Sequence, residues 1–446
     1  MRDEEQSIMA VRGRFLDFSR PAATAAEMKE CARFLEDGLM LVKDGHIEWF
    51  GDWTGGQGQL PADVPVHDHR SGLIVPGFID SHIHFPQAEI IGAYGEQLLE
   101  WLNNYAFPAE MQYQDPAYAG KMADFFINEL LKNGTTTAAV FCTVHPESVD
   151  ALFTAAADIN MRIIAGKVMM DRHAPPELLD TPESSYRESR ALIEKYHGRG
   201  RLHYAVTPRF APTSTAEQLK VAGQLLQEYP DLYLQTHLSE NEAEIKWVQE
   251  LFPDQKNYLD VYKQFGLTGP RSLFAHCVHL EEAEWEELRG SASVIAFCPT
   301  SNLFLGSGLF DMGRARDMKV KVAMASDVGG GTSFSMLATL AEAYKILQLQ
   351  GQSFSAYEAL YSATRGGAEA LSLDHLIGSF GVGKEADFVV LDPEATAIQA
   401  KRLEKSQGVD DMLFSLIILG DDRSISHTYV DGRLVHQRAA QQQEEL

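Results

Sequence analysis

The sequence predicts an α/β protein: a TIM-type (β/α)8 barrel with a smaller β-sandwich domain built from both termini. Three observations support this. A chain of 446 residues exceeds one compact core but accommodates a barrel of roughly 250 residues and a second domain. Eight short apolar runs alternate with helix-like stretches in the middle of the chain, as in repeated βα units. Both ends of the chain contain short strand-like runs joined by turns.

The two ends of the chain predict the smaller β domain. An Asp-Gly pair at positions 44–45 lies between two apolar runs of the amino-terminal part, residues 1–75. A second Asp-Gly pair, at positions 431–432, does the same in the carboxyl-terminal part, residues 376–446. Asp-Gly between apolar runs is a strong hairpin signal. We therefore expect one small β domain assembled from these two parts.

The middle of the chain, residues 76–375, predicts the catalytic barrel. Strands of a parallel barrel are buried on both faces and so read as continuous apolar runs, and their carboxyl ends carry the catalytic groups. The candidate strands are Leu73–Val75 continuing into Phe78–Ile79, Thr137–Phe141, Arg162–Gly166, Leu202–Val206, Leu232–Leu234, Ser272–Ala275, Val294–Phe297 and Val322–Ala325.

The charge of the chain restricts its partners. There are 38 basic and 63 acidic residues, which gives a formal net charge of −25. A field of that sign repels phosphate backbones and anionic lipid, so we expect neither a nucleic-acid nor a membrane partner. A neutral small molecule, such as a nucleobase, remains compatible with this charge.

Cysteine usage and apolar segments indicate the compartment. The four cysteines are widely spaced without a Cys-x-x-Cys pair, which argues against a disulfide framework or a cysteine-based zinc site. The start of the chain, Met1–Gln6, has no apolar segment, and no stretch approaches the roughly 18 apolar residues of a membrane helix. We expect a cytoplasmic protein and, because C2 dimers are the commonest homo-oligomers, a homodimer.

Five ionisable residues follow or end the candidate strands. His82 and His84 are two residues apart, so on an extended strand their side chains share one face. His237, His276 and Asp327 each come directly after a later apolar run or close to its end. Taken singly, such a histidine is more often a buried structural residue, and such an aspartate more often caps a turn. Their shared position at strand ends favours a metal site at the barrel mouth.

The residue types indicate which metal and which chemistry. Neutral imidazoles combined with a carboxylate suit zinc or ferrous iron, and zinc is the favoured metal. A catalytic site of this type keeps one position open for water. The pattern therefore predicts a metal-dependent hydrolase.

A family resemblance adds to this prediction. The segments that carry it are Val75–His84, the residues His237, His276 and Asp327, and the closing Gly383–Phe388. With these segments, which extend over most of the chain, the sequence resembles the amidohydrolase superfamily.

The resemblance implies roles for the strand-end residues. It implies one zinc ion per chain, bound by His82, His84, His237 and Asp327; by their chemistry the same ligands would also fit ferrous iron. It further implies that Glu240, three residues after His237, is a proton shuttle. His276 would contribute to the metal site or polarise the substrate.

Within that superfamily the chain is similar to the branch that deaminates guanine. Three segments carry this narrower resemblance: Gly92–Leu102, Gly166–Arg172 and Thr207–Thr213. It implies hydrolysis of guanine to xanthine and ammonia, a reaction of purine catabolism. It also implies that four side chains contact the purine, namely Gln87, Arg209, Phe210 and His237.

The chemistry of deamination is consistent with these roles. Water must attack the ring carbon C2 and ammonia must leave, so the site needs one base and one acid. Asp327 can take the proton of the water, and Glu240 can donate to N3 and later to the amine. Gln87 offers a donor and an acceptor to a lactam edge, and Arg209 offers its donor fork to a carbonyl oxygen. Phe210 can stack on the flat base.

Two alternatives remain open from the sequence. The first is another aminohydrolase on the same barrel, acting on cytosine, a triazine or a modified adenosine. The second is a non-catalytic scaffold that has lost its metal ligands, although this chain keeps all five strand-end residues. The separate zinc deaminase fold marked by Pro-Cys-x-x-Cys is rejected, because Cys298-Pro299 lacks that spacing.

Overall fold

The computed structural model describes residues 8–94 and 97–439. Met1–Gln6, used above to argue against a signal sequence, lies outside the described residues, as do residues 95–96 of the segment Gly92–Leu102. The described part contains a parallel barrel and a separate sheet made from both termini, which confirms the predicted fold class.

Sixteen strands lie within the described ranges. They are β1 Ile8–Phe18, β2 Ala32–Lys43, β3 His46–Asp52, β4 Val66–Pro76, β5 Phe78–His84, β6 Thr135–Phe141, β7 Arg162–Gly166, β8 Val168–Met169, β9 Leu202–Pro208, β10 Tyr233–Leu238, β11 Ser272–His276, β12 Val294–Phe297, β13 Lys321–Met324, β14 Phe388–Leu391, β15 Ile425–Val430 and β16 Arg433–Gln437.

The same ranges contain eighteen α-helices. They are α1 Ala25–Cys31, α2 Trp53–Gly56, α3 Leu98–Trp101, α4 Phe107–Glu110, α5 Pro116–Lys132, α6 Pro146–Asp158, α7 Pro182–Tyr196, α8 Ala216–Glu228, α9 Glu242–Leu251, α10 Tyr258–Lys263, α11 Glu282–Ser291, α12 Pro299–Phe304, α13 Met312–Met318, α14 Met336–Leu349, α15 Ala356–Ala363, α16 Arg365–Ala370, α17 Ala397–Leu403 and α18 Val409–Leu419. No helix of the described part is both long and apolar enough to cross a membrane.

The barrel is made of strands β5–β7 and β9–β13, which pair in parallel in chain order. The short β8 pairs with β9 outside this path. Two backbone hydrogen bonds join the carboxyl end of β5 to the segment after β13. The N–H of Asp327 donates to the carbonyl of His82 (2.9 Å), and the N–H of His84 donates to that of Val328 (2.8 Å). The barrel is therefore nearly closed.

Amphipathic helices cover the barrel, and α5 shows why they form. Its buried residues recur at three- and four-residue spacing from Ala119 to Leu131, which places one apolar stripe against the strands. Asp115 caps the helix by accepting a hydrogen bond from the N–H of Ala117, and Pro116 occupies its first position, as helix starts favour.

The smaller unit is a seven-stranded sheet in the order β16-β15-β14-β4-β1-β2-β3. Because β4 pairs with β1 and with β14, strands from both termini form one continuous sheet. Both Asp-Gly hairpins are confirmed: residues 44–45 have φ of 49° and 79°, and residues 431–432 have φ of 52° and 72°. Positive φ at both positions is typical of a type I′ turn.

The first candidate barrel strand differs from the structure. We predicted that Leu73–Val75 and Phe78–Ile79 form one strand. In the structure the first run belongs to β4 of the small sheet, and the second begins β5 of the barrel. Pro76 lacks an N–H to continue the ladder, and Gly77 packs so closely that an added Cβ would lie 2.1 Å from Thr136 Oγ1. The proposed domain boundaries at residues 75/76 and 375/376 stay a prediction.

A buried ion network connects the small sheet to the barrel. Arg201, just before β9, pairs with Glu385 Oε2 (2.6 Å) and donates from Nη1 to Asp387 Oδ1 (3.0 Å). Arg162 of β7 also pairs with Glu385. Asp387 Oδ1 further accepts from the N–H of Asp431 (2.8 Å). These carboxylates lie just before β14, so the network joins the two units.

This network predicts a stability effect. Asp387→Asn leaves part of a buried arginine charge uncompensated, and we expect it to lower the free energy of unfolding by about 3 kcal/mol. As a control, Asp37→Asn removes the half-exposed partner of Arg12 and should cost less than about 1 kcal/mol. Urea unfolding measures both losses. Equal losses in the two variants would contradict the role of the network.

Candidate active site

The five strand-end residues predicted from the sequence lie together at the carboxyl end of the barrel. His82 and His84 lie in β5, His237 lies in β10, and His276 ends β11. Asp327 follows β13 by three residues. All five side chains are buried, at 1–8% exposure. The parallel strands thus bring residues from four separate segments to one point.

The ligand atoms have the spacing of a metal centre. His84 Nε2 lies 3.2 Å from His82 Nε2 and 3.2 Å from His237 Nε2. Asp327 Oδ1 lies 3.1 Å from His82 Nε2 and 3.4 Å from His84 Nε2. In a tetrahedral zinc site with bonds of about 2.0–2.1 Å, neighbouring ligand atoms are about 3.3 Å apart. The donor set therefore fits a single divalent ion.

The state of the histidines also suits metal binding. His237 Nδ1 donates to the carbonyl oxygen of Arg209 (2.7 Å), which leaves the lone pair on Nε2 of a neutral ring. Burial lowers the pKa of His84 to about 4, and burial together with His82 and His84 lowers the pKa of His237 well below its usual value. Both rings are therefore neutral at pH 7.

Asp327 is held as an anion. Burial opposes its ionisation, but the facing His82 and His84 outweigh burial and keep the pKa of Asp327 well below its usual range. Asp327 and His276 also adopt left-handed backbone conformations, with φ of 51° and 71°. Non-glycine residues rarely adopt such values, and they cluster at functional sites.

A second group of potential ligand atoms includes a cysteine that the sequence analysis did not assign to the site. Atoms of His82, His276, Cys298 and Asp327 lie within 4.8 Å of one another. Burial and the nearby Asp327 raise the pKa of the Cys298 thiol well above its usual value. The thiol is therefore protonated and a poorer ligand than the imidazoles.

Glu240 lies next to this cluster and carries a shifted pKa. Its Oε2 is 3.3 Å from His276 Nε2, and its Oε1 accepts a hydrogen bond from Ser307 Oγ (2.9 Å). Burial and the charge of Asp327 raise the pKa of Glu240 to about 8. Glu240 is therefore protonated at neutral pH, and its proton lies close to His276.

A cavity opens beside the candidate metal ligands His84, His237 and Asp327. Its lining combines apolar side chains with polar and ionisable groups. The apolar lining residues are Leu98, Trp101, Leu102, Phe210 and Leu305, and the polar ones include Gln87, Arg209, Glu240, Glu244, His276 and Asp327.

The predicted base-binding residues lie together in the cavity wall. Gln87 lies in a 3₁₀ helix, Phe85–Ile90, that directly follows β5. Arg209 directly follows β9, and Phe210 is next to it. The rings of Phe210 and His237 meet edge to face at 6.5 Å. Phe210 therefore contacts one of the candidate metal ligands as well as lining the cavity.

Besides Cys298, sequence reasoning also missed Phe141 and Glu110. Phe141, at the end of β6, packs its ring 4.8–4.9 Å from the rings of His82, His84 and His237. Its position at a strand end was a usable signal. Glu110, which pairs with Arg209 Nη1 (2.6 Å), lies in the short helix α4, where no periodicity or motif marks it.

Comparison with known proteins agrees with this geometry. The model of the amidohydrolase family matches residues 73–435. Guanine deaminase of Escherichia coli K12 is 60% identical over 438 residues, which cover 98% of this chain and 100% of the relative. The solved E. coli structure has a TM-score of 0.95 at 58% identity and covers 98% of this chain and 100% of its own.

A structure of guanine deaminase from C. acetobutylicum with guanine bound in its active site is also similar. Its TM-score is 0.86 at 30% identity, with 96% of this chain and 100% of that chain covered.

The clustered donors predict metal content. Purified protein should contain about one divalent metal ion per chain, and His84→Asn should lose most of it because one of four ligands is removed. His46→Asn changes an exposed histidine of β3 and should retain the ion. Elemental analysis after dialysis measures both variants. Full metal content in His84→Asn would contradict the assignment.

Proposed function

The chain belongs to the amidohydrolase family, and we propose that it hydrolyses guanine to xanthine and ammonia, a reaction of purine catabolism. The observation that carries the proposal is the 60% identity to E. coli guanine deaminase over 98% of the chain. The structure supports it with a cavity that is lined both by candidate metal ligands and by Gln87 and Arg209. The protein is therefore an aminohydrolase.

Members of this family depend on a metal ion, and the residues present fit one. We assign His82, His84, His237 and Asp327 as its ligands, because four distances among their ligand atoms are 3.1–3.4 Å, close to tetrahedral spacing. Zinc is the proposed ion, and ferrous iron fits the same donors. When bound, the ion would lower the pKa of a coordinated water to about 7 and so supply the nucleophile.

Two carboxylates divide the proton transfers. Asp327, ionised by its histidine partners, accepts a proton from the attacking water. Glu240, protonated because its pKa is about 8, donates to N3 of the ring as the C2–O bond forms. Glu240, now ionised, takes the remaining proton of the added water to the amine, the C2–N bond breaks, and ammonia leaves. The proton held by Asp327 then restores Glu240.

The cavity wall binds the base in one orientation. Gln87 and Arg209 bind the edge that carries O6 and N1, with the amide as donor and acceptor and the guanidinium as donor. Phe210 packs against the ring. His237 contacts the base, and His276, next to Glu240, polarises the end where C2 is attacked.

Other features of the sequence analysis stay predictions. The homodimer and the cytoplasmic location are two of them.

The alternative substrates have little support from the comparisons. The similar structures of an adenosine deaminase and a triazine hydrolase are only 20–21% identical to this chain, which establishes the shared fold alone. A scaffold without catalysis is disfavoured, because all five strand-end groups converge.

The proposed function is tested by following the change in absorbance as guanine is converted to xanthine, together with the release of ammonia. We expect turnover of guanine, its loss after removal of metal by a chelator, and its return when zinc is added. Cytosine, a triazine and a modified adenosine should be poor substrates. Metal-loaded protein that leaves guanine unchanged would refute the substrate assignment while leaving the fold intact.

The role of Glu240 gives a separate prediction. Glu240→Gln keeps the size of the side chain but has no proton to transfer, so kcat should fall by about 10²–10⁴. Metal content should remain as in the unmodified chain. Glu284→Gln, at a buried glutamate outside the cavity, is the matched control and should retain kcat in folded protein. A small effect of Glu240→Gln on kcat would contradict this role and would mean that another group transfers the protons.

A further inference from the structure

A buried carboxylate joins the two residues proposed to read the purine edge. Glu110 ends helix α4, and its side chain is fully buried (0% exposure). Its Oε1 and Oε2 accept from Arg209 Nη1 at 2.8 and 2.6 Å, and Oε1 also accepts from Gln87 Nε2 at 3.0 Å. Phe107 of the same helix places its ring 5.3 Å from the Arg209 guanidinium.

We propose that Glu110 is a positioning residue that determines specificity. It holds Gln87 and Arg209 as one hydrogen-bonding clamp, and its negative charge balances that of Arg209. The clamp therefore binds the neutral guanine base and releases the more acidic product. This inference rests on the proposed deamination of guanine.

Glu110 sets the direction of the Gln87 amide. A carboxylate only accepts hydrogen bonds, so the amide must turn Nε2 toward Glu110. Its Oε1 then faces the N–H of Gly329 (3.3 Å). One N–H of Gln87 and one lone pair of its Oε1 remain for a ligand, which is the donor and acceptor pair that a lactam edge requires.

Glu110 also sets the direction of the Arg209 guanidinium. Both carboxylate oxygens contact Nη1, while Nε and Nη2 have no acceptor among the described residues. Arg209 is 2% exposed and lines the cavity. Since buried donors need partners, these N–H groups are available to a carbonyl oxygen of the base.

The charge of Glu110 matters most for the product. Xanthine carries a second carbonyl group in place of the amine and is a stronger N–H acid than guanine. An arginine without its carboxylate would attract the xanthine anion inside a low-dielectric cavity. The paired arginine instead presents donors without a net charge, which favours release of product.

Other ionisable groups lie near the clamp or line the same cavity, and any pH dependence includes their titration. They are His84, Tyr113, His145, His237, Glu240, Glu244, His276 and Asp327. Comparing a variant with the unmodified chain at the same pH cancels their shared contribution.

Two substitutions separate charge from geometry. Glu110→Gln keeps the size of the side chain and removes its charge, so Arg209 should attract the xanthine anion more strongly. Xanthine should therefore inhibit the variant more strongly than the unmodified enzyme, and this gain should be about tenfold larger above the pKa of xanthine than below it. Glu110→Asp keeps the charge and shortens the reach, so KM for guanine should rise about tenfold. In Glu110→Asp the pH dependence of xanthine inhibition should match that of the unmodified enzyme.

The measurements are KM and kcat for guanine and the inhibition constant of xanthine on both sides of its pKa. Asp17→Asn is the control, because Asp17 is another buried carboxylate that pairs with an arginine, Arg33, but lies in the small sheet. It should lower the melting temperature and leave these constants unchanged. Melting curves report whether each variant is folded.

The outcomes are distinguishable. If the unmodified chain fails to deaminate guanine, the proposed function fails, and this inference fails with it. If guanine is turned over but Glu110→Gln shows the unmodified pH dependence, the charge role is overturned. Should Glu110→Gln not fold, Glu110→Asp still decides the positioning role, since an unchanged KM for guanine overturns it.

Discussion

The seam between the first and last barrel strands determines the position of everything in the site. Backbone hydrogen bonds from Asp327 to His82 and from His84 to Val328 join the two ends. Buried Asp80 strengthens the seam by accepting from the N–H of Ser326 (3.0 Å) and the N–H of His82 (3.2 Å). Asp327 lies more than 240 positions after His82 and His84 in the chain. The seam nevertheless brings its carboxylate within 3.1–3.4 Å of both imidazoles. This closure places the carboxylate of Asp327 beside the two histidines of β5.

The site then assigns opposite tasks to two similar side chains through their surroundings. Asp327 and Glu240 are both buried carboxylates, yet facing histidines keep the pKa of Asp327 low, while burial and the charge of Asp327 raise that of Glu240 to about 8. A pair of acids whose pKa values are driven apart can serve as base and acid at one pH. Glu110, buried beside Arg209, has a third task, since it balances the arginine charge instead of exchanging protons.

Much of this arrangement was accessible from the sequence because it follows from strand geometry. Residues at i and i+2 share a face of a strand, and parallel strands end at one edge, so His82, His84 and His237 could be grouped without coordinates. The break between β4 and β5 was missed, because Pro76-Gly77 interrupts what reads as one apolar run. Glu110 was missed for a different reason: a carboxylate in a one-turn helix acquires meaning only through tertiary contacts. Cys298 was set aside on spacing, although folding places it beside Asp327.

The central claim is that the closed seam creates a single metal centre of three imidazoles and one carboxylate. X-ray absorption at the edge of the resident metal in purified protein tests this most directly, because it reports the ligand atoms themselves. We predict a shell of nitrogen and oxygen neighbours at about 2.0–2.2 Å with the scattering pattern of three imidazole rings. A sulfur neighbour at about 2.3 Å, which would place Cys298 in the coordination shell, or fewer than three imidazoles, would contradict the account.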